Sequence, residues 1–311
     1  MQKLALDEEI LMQVEQPARY IGGEINSVKK DPDQVKIRFA MCFPDVYEIG
    51  MSHLGIQILY SMFNRREDVY CERVFSPWTD LDRILREKKI PLFTLESQRP
   101  VKECDFLGIT LQYEMCYTNI LQVLELSQIP LRAADRRDGD PIVIGGGPCT
   151  YNPEPIAPFF DLFYMGEGEV VYDELLDLYR EHKEAGGDRA SFLKKVASLP
   201  GIYVPAFYEP EYNEDGTLAA FKPLCPESPA KVRRLVMSVL DRADFIDNPL
   251  VPFIRVTQDR SVLELMRGCI RGCRFCQAGN VYRPQREHSV EYLKRYAEKL
   301  LKITGNEEIS L

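Results

Sequence analysis

Short apolar runs alternate with amphipathic segments through the first 200 residues of the chain. The apolar runs predict buried strands, which cover residues 36–43, 69–75, 105–111, 141–147 and 161–166. Apolar positions that recur every three or four residues predict helices, which cover residues 51–64, 80–88, 115–128 and 169–183. Strands that alternate with helices of this length are typical of parallel βαβ units. We therefore expect an α/β fold with a doubly wound parallel sheet.

The segments around this region carry other signals. Residues 1–35 predict a helix and then a polar approach to the first strand, and Ser52 is a candidate N-cap of the helix over 51–64. Aromatic strand residues flank a turn signal at 213–216, which predicts a hairpin. The proline-punctuated stretch 226–252 predicts a connector that lies over a neighbouring domain.

A further unit begins near residue 254. A strand is predicted over 261–266, followed by a loop rich in glycine, arginine and cysteine. Ser289 is the candidate N-cap of a helix that stops at Gly305, and residues 307–311 predict the next strand. The expected regions are an α/β domain at 1–200, a hairpin and linker at 201–253, and the start of another domain at 254–311.

The composition is that of a folded protein. Hydrophobic residues make up 45% of the chain, and a net charge of −9 argues against nucleic-acid binding by the whole surface. No apolar run approaches the length of about 20 residues that spans a bilayer, and the first residues lack the pattern of a secretion signal. We expect a cytoplasmic protein without membrane partners, in which nine cysteines favour metal binding or catalysis over disulfides.

Three of these cysteines crowd into one short loop. Cys269, Cys273 and Cys276 have the spacing C-x3-C-x2-C, and thiolates suit iron–sulfur clusters or zinc. A structural zinc site closes with four protein ligands, whereas a [4Fe–4S] cluster with three protein thiolates leaves one iron open to a small molecule. Two other interpretations stay open: a zinc site with His288 as fourth ligand, and reduced thiols that bind no metal.

The rest of the loop fits an anionic cluster. Gly268, Gly272 and Gly279 allow the backbone to curl tightly, because glycine tolerates positive φ. The loop holds no acidic residue but several arginines, which are Arg267, Arg271, Arg274, Arg283 and Arg286. Positive charge and hydrogen-bond donors stabilise an anionic cluster and tune its potential. We therefore expect these arginines to serve the cluster and its ligand.

The segment CIRGCRFC, which begins at Cys269, resembles the C-x3-C-x-φ-C signature of radical S-adenosylmethionine (SAM) enzymes. The resemblance implies that Cys269, Cys273 and Cys276 each bind one iron of a [4Fe–4S] cluster and that SAM binds the fourth iron. It also implies that Phe275, at the aromatic position, and Gly279 contribute to cofactor binding. A flavodoxin- or ferredoxin-like donor would supply the electron that cleaves SAM to a 5′-deoxyadenosyl radical. The sequence indicates no substrate.

The resemblance extends over most of the chain. The matching segments are 19–24, 43–60, 76–81, 108–114 and 145–169, and together with the loop they resemble uncharacterised radical SAM proteins that carry an N-terminal cobalamin-binding (B12-binding) domain. This implies a Rossmann-like, cobalamin-binding-like sheet, followed by the first βα unit of a partial (β/α)6 barrel. The chain would be the N-terminal part of a longer protein, inactive alone, so we expect its coding region to continue in frame past Leu311.

The loop after the first strand departs from the pattern of cobalamin-binding domains. Such domains carry D-x-H-x-x-G there, and the histidine binds cobalt. Asp45 and Gly50 fit this pattern, but Tyr47 occupies the histidine position, and a neutral phenol is a much poorer cobalt ligand. His53 follows closely, and we expect it to cap or pack against a helix rather than to bind cobalt.

Two further loops match the cobalamin-binding pattern. Thr110 falls in the second, small-polar loop, and Gly145 and Gly146 fall in a glycine loop that would approach the nucleotide tail. Both loops follow predicted strands, at the sheet edge where ligands bind in such folds. Two alternatives stay open: bound cobalamin, or a scaffold of the same type without the cofactor.

The main hypothesis is therefore a radical SAM enzyme of unknown substrate. The first rival is a non-catalytic regulatory module that binds an iron–sulfur cluster or zinc. The second rival is a cobalamin-dependent radical SAM methyltransferase. Iron content, corrinoid content and production of 5′-deoxyadenosine separate the three.

Overall fold

The computed structural model describes residues 4–242 and 246–311, so the parts of the N-terminal and connector predictions that fall on residues 1–3 and 243–245 lie outside it. The strands are β1 (Ile37–Phe43), β2 (Val69–Phe75), β3 (Phe106–Thr110), β4 (Ile142–Gly146), β5 (Leu162–Tyr164), β6 (Ile202–Tyr203), β7 (Tyr208–Tyr212), β8 (Leu218–Pro223), β9 (Ser261–Val262), β10 (Met266–Arg267), β11 (Arg286–Glu287) and β12 (Ile309–Ser310). The helices are α1 (Glu8–Leu11), α2 (Tyr47–Gly50), α3 (Leu54–Asn64), α4 (Thr79–Lys88), α5 (Tyr117–Leu126), α6 (Tyr172–Glu184), α7 (Arg189–Val196), α8 (Ala278–Val281) and α9 (Val290–Thr304).

The main sheet has the strand order β2-β1-β3-β4-β5-β6. The strands from β2 to β5 pair in parallel, and β6 pairs antiparallel with β5 at the edge. The prediction of an α/β fold with a mostly parallel sheet is confirmed. This strand order has a topological switch point between β1 and β3, because the chain leaves these two strands toward opposite faces of the sheet.

Side chains of the strands alternate between the two faces of the sheet. In β1, Phe39 and Met41 belong to one hydrophobic cluster, while Ala40 and Cys42 belong to the other. Helices α3, α6 and α7 cover the first face, and α4 and α5 cover the second. The sheet is therefore buried on both sides, which explains why its strands are continuous apolar runs in the sequence. No helix of the described residues combines the length and apolar character that a membrane crossing requires.

Two details of the helices differ from the sequence predictions. The N-cap of α3 is His53 rather than Ser52: the Nδ1 atom of His53 accepts the N–H of Ile56 at 3.3 Å. The hydroxyl of Ser52 is used elsewhere, since it donates to the carbonyl of Glu48 at 2.7 Å and accepts the N–H of Gln258 at 2.9 Å. The predicted N-terminal helix is a single turn, α1, and α7 has no counterpart in the predictions because its short sequence buries few apolar positions.

The connector is joined to the edge of the main sheet. Leu235 donates its N–H to the carbonyl of Met165 at 2.8 Å, and its carbonyl accepts the N–H of Glu167 at 3.1 Å. Gly166 makes this approach possible, since its φ is +121° and a Cβ there would lie 2.2 Å from the carbonyl oxygen of Leu235. This close contact holds the connector against the carboxyl end of β5.

The C-terminal residues form a βαβ unit. Strands β9 and β12 pair in parallel and are connected through α9, which Ser289 caps and Gly305 ends. The predicted strand over 261–266 is interrupted: β9 ends at Val262, and β10 pairs antiparallel with β11 at the base of the cysteine loop. The chain bends between β9 and β10, where Glu264 reaches Arg267 at 3.0 Å. The predicted hairpin is also present, as β7 and β8.

An ion-pair network lies inside the core of the α/β region. Arg73 in β2 is almost fully buried, and its guanidinium contacts the carboxylates of Glu24 at 2.6 Å and Glu96 at 2.5 Å. Glu24 also accepts the hydroxyl of Tyr47 at 2.9 Å. Buried charges are tolerated only when each is paired and hydrogen-bonded, so removal of one partner leaves an uncompensated charge.

We predict that Arg73→Ala destabilises the protein by about 3–5 kcal/mol, because Glu24 and Glu96 would stay buried without their cation. Urea unfolding followed by circular dichroism measures this loss. Arg86→Ala is the matched control, since Arg86 pairs with Asp82 and Glu125 on the exposed surface of α4. Equal unfolding midpoints for the two variants would contradict the prediction.

Candidate functional site

A cavity of about 560 Å³ lies at the carboxyl ends of the parallel strands. Residues from β1, β3, β4 and β5 form its floor, and the segment from Glu264 to Gly268 forms part of its opposite wall. In parallel sheets ligands bind at this edge, next to the switch point of the topology. The volume falls within the range of about 300–1,000 Å³ that is typical of small-molecule sites.

Two of the sequence-predicted site residues line this cavity. Thr110 is 8% exposed, and its Oγ1 atom is buried without a hydrogen-bond partner. Gly146 borders open space, since a Cβ built on it would meet no atom within 4 Å. Gly145 lies beside them but faces the core, where a Cβ would lie 2.6 Å from the ring of Phe163.

The predicted site residues in the loop after β1 do not line the cavity. Tyr47 is buried outside the cavity with its hydroxyl on Glu24, and burial raises the pKa of this phenol above its usual value. Gly50 packs against the ring of Phe75, and Asp45 accepts the hydroxyl of Tyr113 at 3.1 Å. The position that carries a cobalt-binding histidine in cobalamin-binding domains therefore does not face the cavity. These residues do not fit cobalamin held by a protein ligand at that position.

His53 lines the cavity and has the capping role that the sequence predicts. Its Nδ1 atom accepts the N–H of Ile56, so the lone pair of that nitrogen is already used. Burial lowers the pKa of His53, and a hydrogen bond with Gln112 opposes this only in part. The imidazole is therefore a neutral acceptor at the N-terminus of α3.

The cysteine loop connects β10 to β11 beside the cavity. Cys269, Cys273 and Cys276 are free thiols, of which Cys273 is exposed and the others are partly exposed. Phe275 is 91% exposed, whereas Gly279 is buried and approaches the carbonyl oxygen of Arg271. Within residues 4–242 and 246–311, no three His, Cys, Asp or Glu side chains converge to hold a metal ion, the loop thiols included.

The donor set nevertheless has the chemistry that an iron–sulfur cluster requires, since it consists of three free thiols on one short, accessible loop. His288 is separated from this set by its own contacts. Its Nδ1 atom lies 3.1 Å from Asp241 and its Nε2 atom 3.6 Å from Glu264, while its ring stacks on Tyr292 at 4.2 Å. A zinc site with His288 as fourth ligand does not fit this arrangement.

Three carboxylates, Glu167, Glu169 and Glu264, hold both ends of the cysteine loop, and we call them the carboxylate clamp. Glu167 accepts a hydrogen bond from Arg286 at 2.8 Å and lies 3.5 Å from Arg267. Arg267 donates to Glu169 at 2.6 Å and to Glu264 at 3.0 Å. Burial opposes ionisation, but the hydrogen bond from Arg286 holds the pKa of Glu167 below its usual value.

The clamp corrects the sequence interpretation of the loop arginines. Arg267 and Arg286 were expected to face a cluster, but they pair with carboxylates, two of which come from the GEGE turn at 166–169. The alternation of glycine and glutamate was the available signal, but nothing in the sequence indicated which arginines it would meet.

Gly268 shapes the first residue of the loop. Its φ is +95°, and a Cβ there would lie 2.5 Å from the carbonyl oxygen of Tyr282 and 2.6 Å from that of Pro284. Both contacts involve backbone atoms, which cannot move aside cheaply. Glycine is therefore required at the position just before the first loop cysteine.

Residues 55–205 match the family model described as "Radical SAM proteins, N-terminal". The match runs from α3 past β6 and ends before the cysteine loop, so it is independent of the cysteine spacing. It supports membership of the radical SAM superfamily.

The chain is also similar to the uncharacterized protein MJ0966 of Methanocaldococcus jannaschii. The two are 25% identical over 281 residues, which cover 88% of this chain and 48% of the relative. This chain therefore spans about half the length of the curated relative that it matches.

We predict that Glu167→Gln loosens both ends of the cysteine loop, because the two arginines lose their shared negative charge. The expected loss is about 2 kcal/mol, the usual value of a hydrogen bond to a charged group. Hydrogen–deuterium exchange should become faster over residues 264–288. Glu211→Gln, which removes a charge from an exposed pair with Lys222, is the control and should leave this segment unchanged.

We predict that Gly268→Ala lowers stability by about 1–3 kcal/mol, because alanine would be strained at positive φ and would press on two carbonyl groups. Thermal unfolding measures the effect. Gly272→Ala is the matched control on the same loop, since its nearest neighbour would be a flexible arginine atom 4.0 Å away. If the two variants unfold at the same temperature, the backbone at Gly268 is not constrained as described.

Proposed function

We propose that this chain is the N-terminal part of a radical SAM enzyme in which Cys269, Cys273 and Cys276 bind a [4Fe–4S] cluster. The observation that carries the proposal is the cysteine loop, three free thiols between clamped ends, next to a region that matches radical SAM proteins. Three thiols without a fourth protein ligand favour a cluster with an open iron over a closed zinc site. The contacts of His288 with Asp241 and Glu264 support the same choice.

The residues of this chain hold and orient the loop. The carboxylate clamp secures Arg267 and Arg286, and Gly268 sets the direction in which the chain leaves β10. Arg271 and Arg274 remain on the exposed part of the loop, where their charge would stabilise an anionic cluster. The α/β region thus acts as a support for the cofactor loop.

When bound, such a cluster would supply the electron that cleaves SAM to a 5′-deoxyadenosyl radical, and a flavodoxin- or ferredoxin-like protein would be the source of that electron. Activity belongs to the whole protein, because this chain corresponds to about half of its relative. The substrate is not part of the proposal.

The rival hypotheses differ in their support. A cobalamin-dependent methyltransferase is not favoured, because Tyr47 lies in the core with its hydroxyl on Glu24. A non-catalytic module that binds a cluster or zinc shares the cysteine loop with the enzyme. Turnover of SAM distinguishes the enzyme from such a module, and metal content shows whether the module binds an iron–sulfur cluster or zinc.

We predict that the full-length protein, reconstituted without oxygen, contains about four iron atoms per chain and forms 5′-deoxyadenosine from SAM with dithionite. Cys276→Ala should lose both the iron and the product, because one of the three thiolate ligands is removed. Metal analysis, the visible absorption band of the cluster and chromatography of the product are the measurements.

Cys225→Ala is the matched control for this experiment. Cys225 is also a partly exposed free thiol, but it lies between β8 and the connector and contacts Ser228 at 3.2 Å. This variant should keep both iron and product. Zinc as the sole metal, or equal losses in the two variants, would refute the proposal, and iron without product would favour the regulatory module.

A further inference from the structure

We propose that the cavity at the carboxyl edge of the sheet binds an uncharged or cationic, largely apolar small molecule that makes one hydrogen bond to Thr110. The proposal concerns a ligand site of the α/β region. It goes beyond the proposed function and stands without it, because none of the three loop cysteines lines the cavity.

The hydroxyl of Thr110 is the first observation. The side chain is 8% exposed and lines the cavity, yet its Oγ1 atom has no hydrogen-bond partner. A buried polar atom without a partner costs free energy, so native structures rarely keep one without a reason. A ligand group that donates to or accepts from this hydroxyl would satisfy it.

Three polar side chains that line the cavity near Thr110 already have hydrogen-bond partners. Ser52 donates to Glu48 and accepts the N–H of Gln258 at 2.9 Å, and His53 accepts the N–H of Ile56. The hydroxyl of Tyr164 accepts the N–H of Val171 at 2.9 Å. Among the described buried side-chain atoms that lack a hydrogen-bond partner, Thr110 Oγ1 is the one that lines the cavity, so it is the polar contact we assign to a ligand whose other surface meets apolar side chains.

The charges around the cavity exclude an anionic ligand. Arg267 is the one cationic side chain among the described lining residues, and the three carboxylates of the clamp surround it. With Arg286 included, this group has three negative and two positive charges, a net charge of −1. At the N-terminus of α3, His53 already accepts the N–H of Ile56, so this donor is not free for an anion. A phosphate or carboxylate would lose its hydration without gaining a free cation.

The floor of the cavity fits an apolar partner. Met41, Ile58 and Ile144 line it, and Gly146 leaves open space where any other residue would place a side chain. Binding sites of this volume take most of their affinity from apolar contact and their orientation from few polar groups. An apolar floor with one polar contact at Thr110 therefore favours a largely apolar small molecule.

The test uses two fluorescent probes that differ by one charge, on the full-length, metal-free protein. Phenylnaphthylamine is uncharged and carries one N–H, and anilinonaphthalene sulfonate has the same rings with an added sulfonate. We expect phenylnaphthylamine to bind once per chain, with a Kd at least about tenfold lower than that of the sulfonate. Equal affinities, or no saturable binding of the uncharged probe, would overturn the proposal.

Two glycine variants locate the binding. Gly146→Leu fills the cavity from a position with open space and should raise the Kd of phenylnaphthylamine at least about tenfold. Gly139→Leu is the matched control, because Gly139 also has no neighbour within 4 Å but lies on the exposed surface. The control should leave the Kd unchanged. Equal behaviour of the two variants would place the probe elsewhere and refute the proposal.

Thr110→Val tests the polar contact without relying on binding alone. The substitution keeps the shape and removes the unpartnered hydroxyl, so the free protein should melt at a higher temperature while the Kd of phenylnaphthylamine rises several-fold. A lower melting temperature would mean that the hydroxyl has a structural partner and would overturn its assigned role. Cys276→Ala should bind the probe normally, so a failure of the cluster proposal remains distinguishable from a failure of this one.

Discussion

One carboxylate, that of Glu167, connects the two halves of the molecule. It projects from the carboxyl end of β5, meets both arginines that bracket the cysteine loop and accepts the N–H of Met237 at 2.7 Å. Because the carboxyl ends of parallel strands share one edge, the same carboxylate also borders the cavity. The position of the cysteine loop, the shape of the cavity and the path of the connector therefore depend on this contact.

The strands of the main sheet could be predicted because burial on both faces makes them continuous apolar runs, as in β1 and β4. Shorter elements could not be predicted in the same way. The two residues of β6 and the eight of α7 are held by neighbours rather than by their own pattern. The choice of His53 over Ser52 as N-cap involves a tertiary contact, because the hydroxyl of Ser52 accepts the N–H of Gln258, which is far away in the sequence.

The candidate site was predictable only in part. Thr110 and Gly146 follow strands, and strand ends in parallel sheets converge, so their placement at one edge followed from topology. The orientation of Tyr47 could not be predicted from its position in the motif, because its hydroxyl donates a hydrogen bond to the buried carboxylate of Glu24, which is far away in the sequence. The clamp was also not predictable from the sequence, since two of its carboxylates, Glu167 and Glu169, lie about 100 residues before Arg267 and meet it only after folding.

The bridge of Leu235 to Gly166 has a consequence for the integrity of the chain. The turn of the hairpin at 213–216 is exposed and comes before Leu235 in the sequence. In each contact described above between the two halves, one partner lies before this turn and the other lies after it. A backbone cut in that turn would sever the polypeptide but none of those contacts. The two pieces would stay together as one nicked particle, and separately synthesised halves could reassemble by complementation.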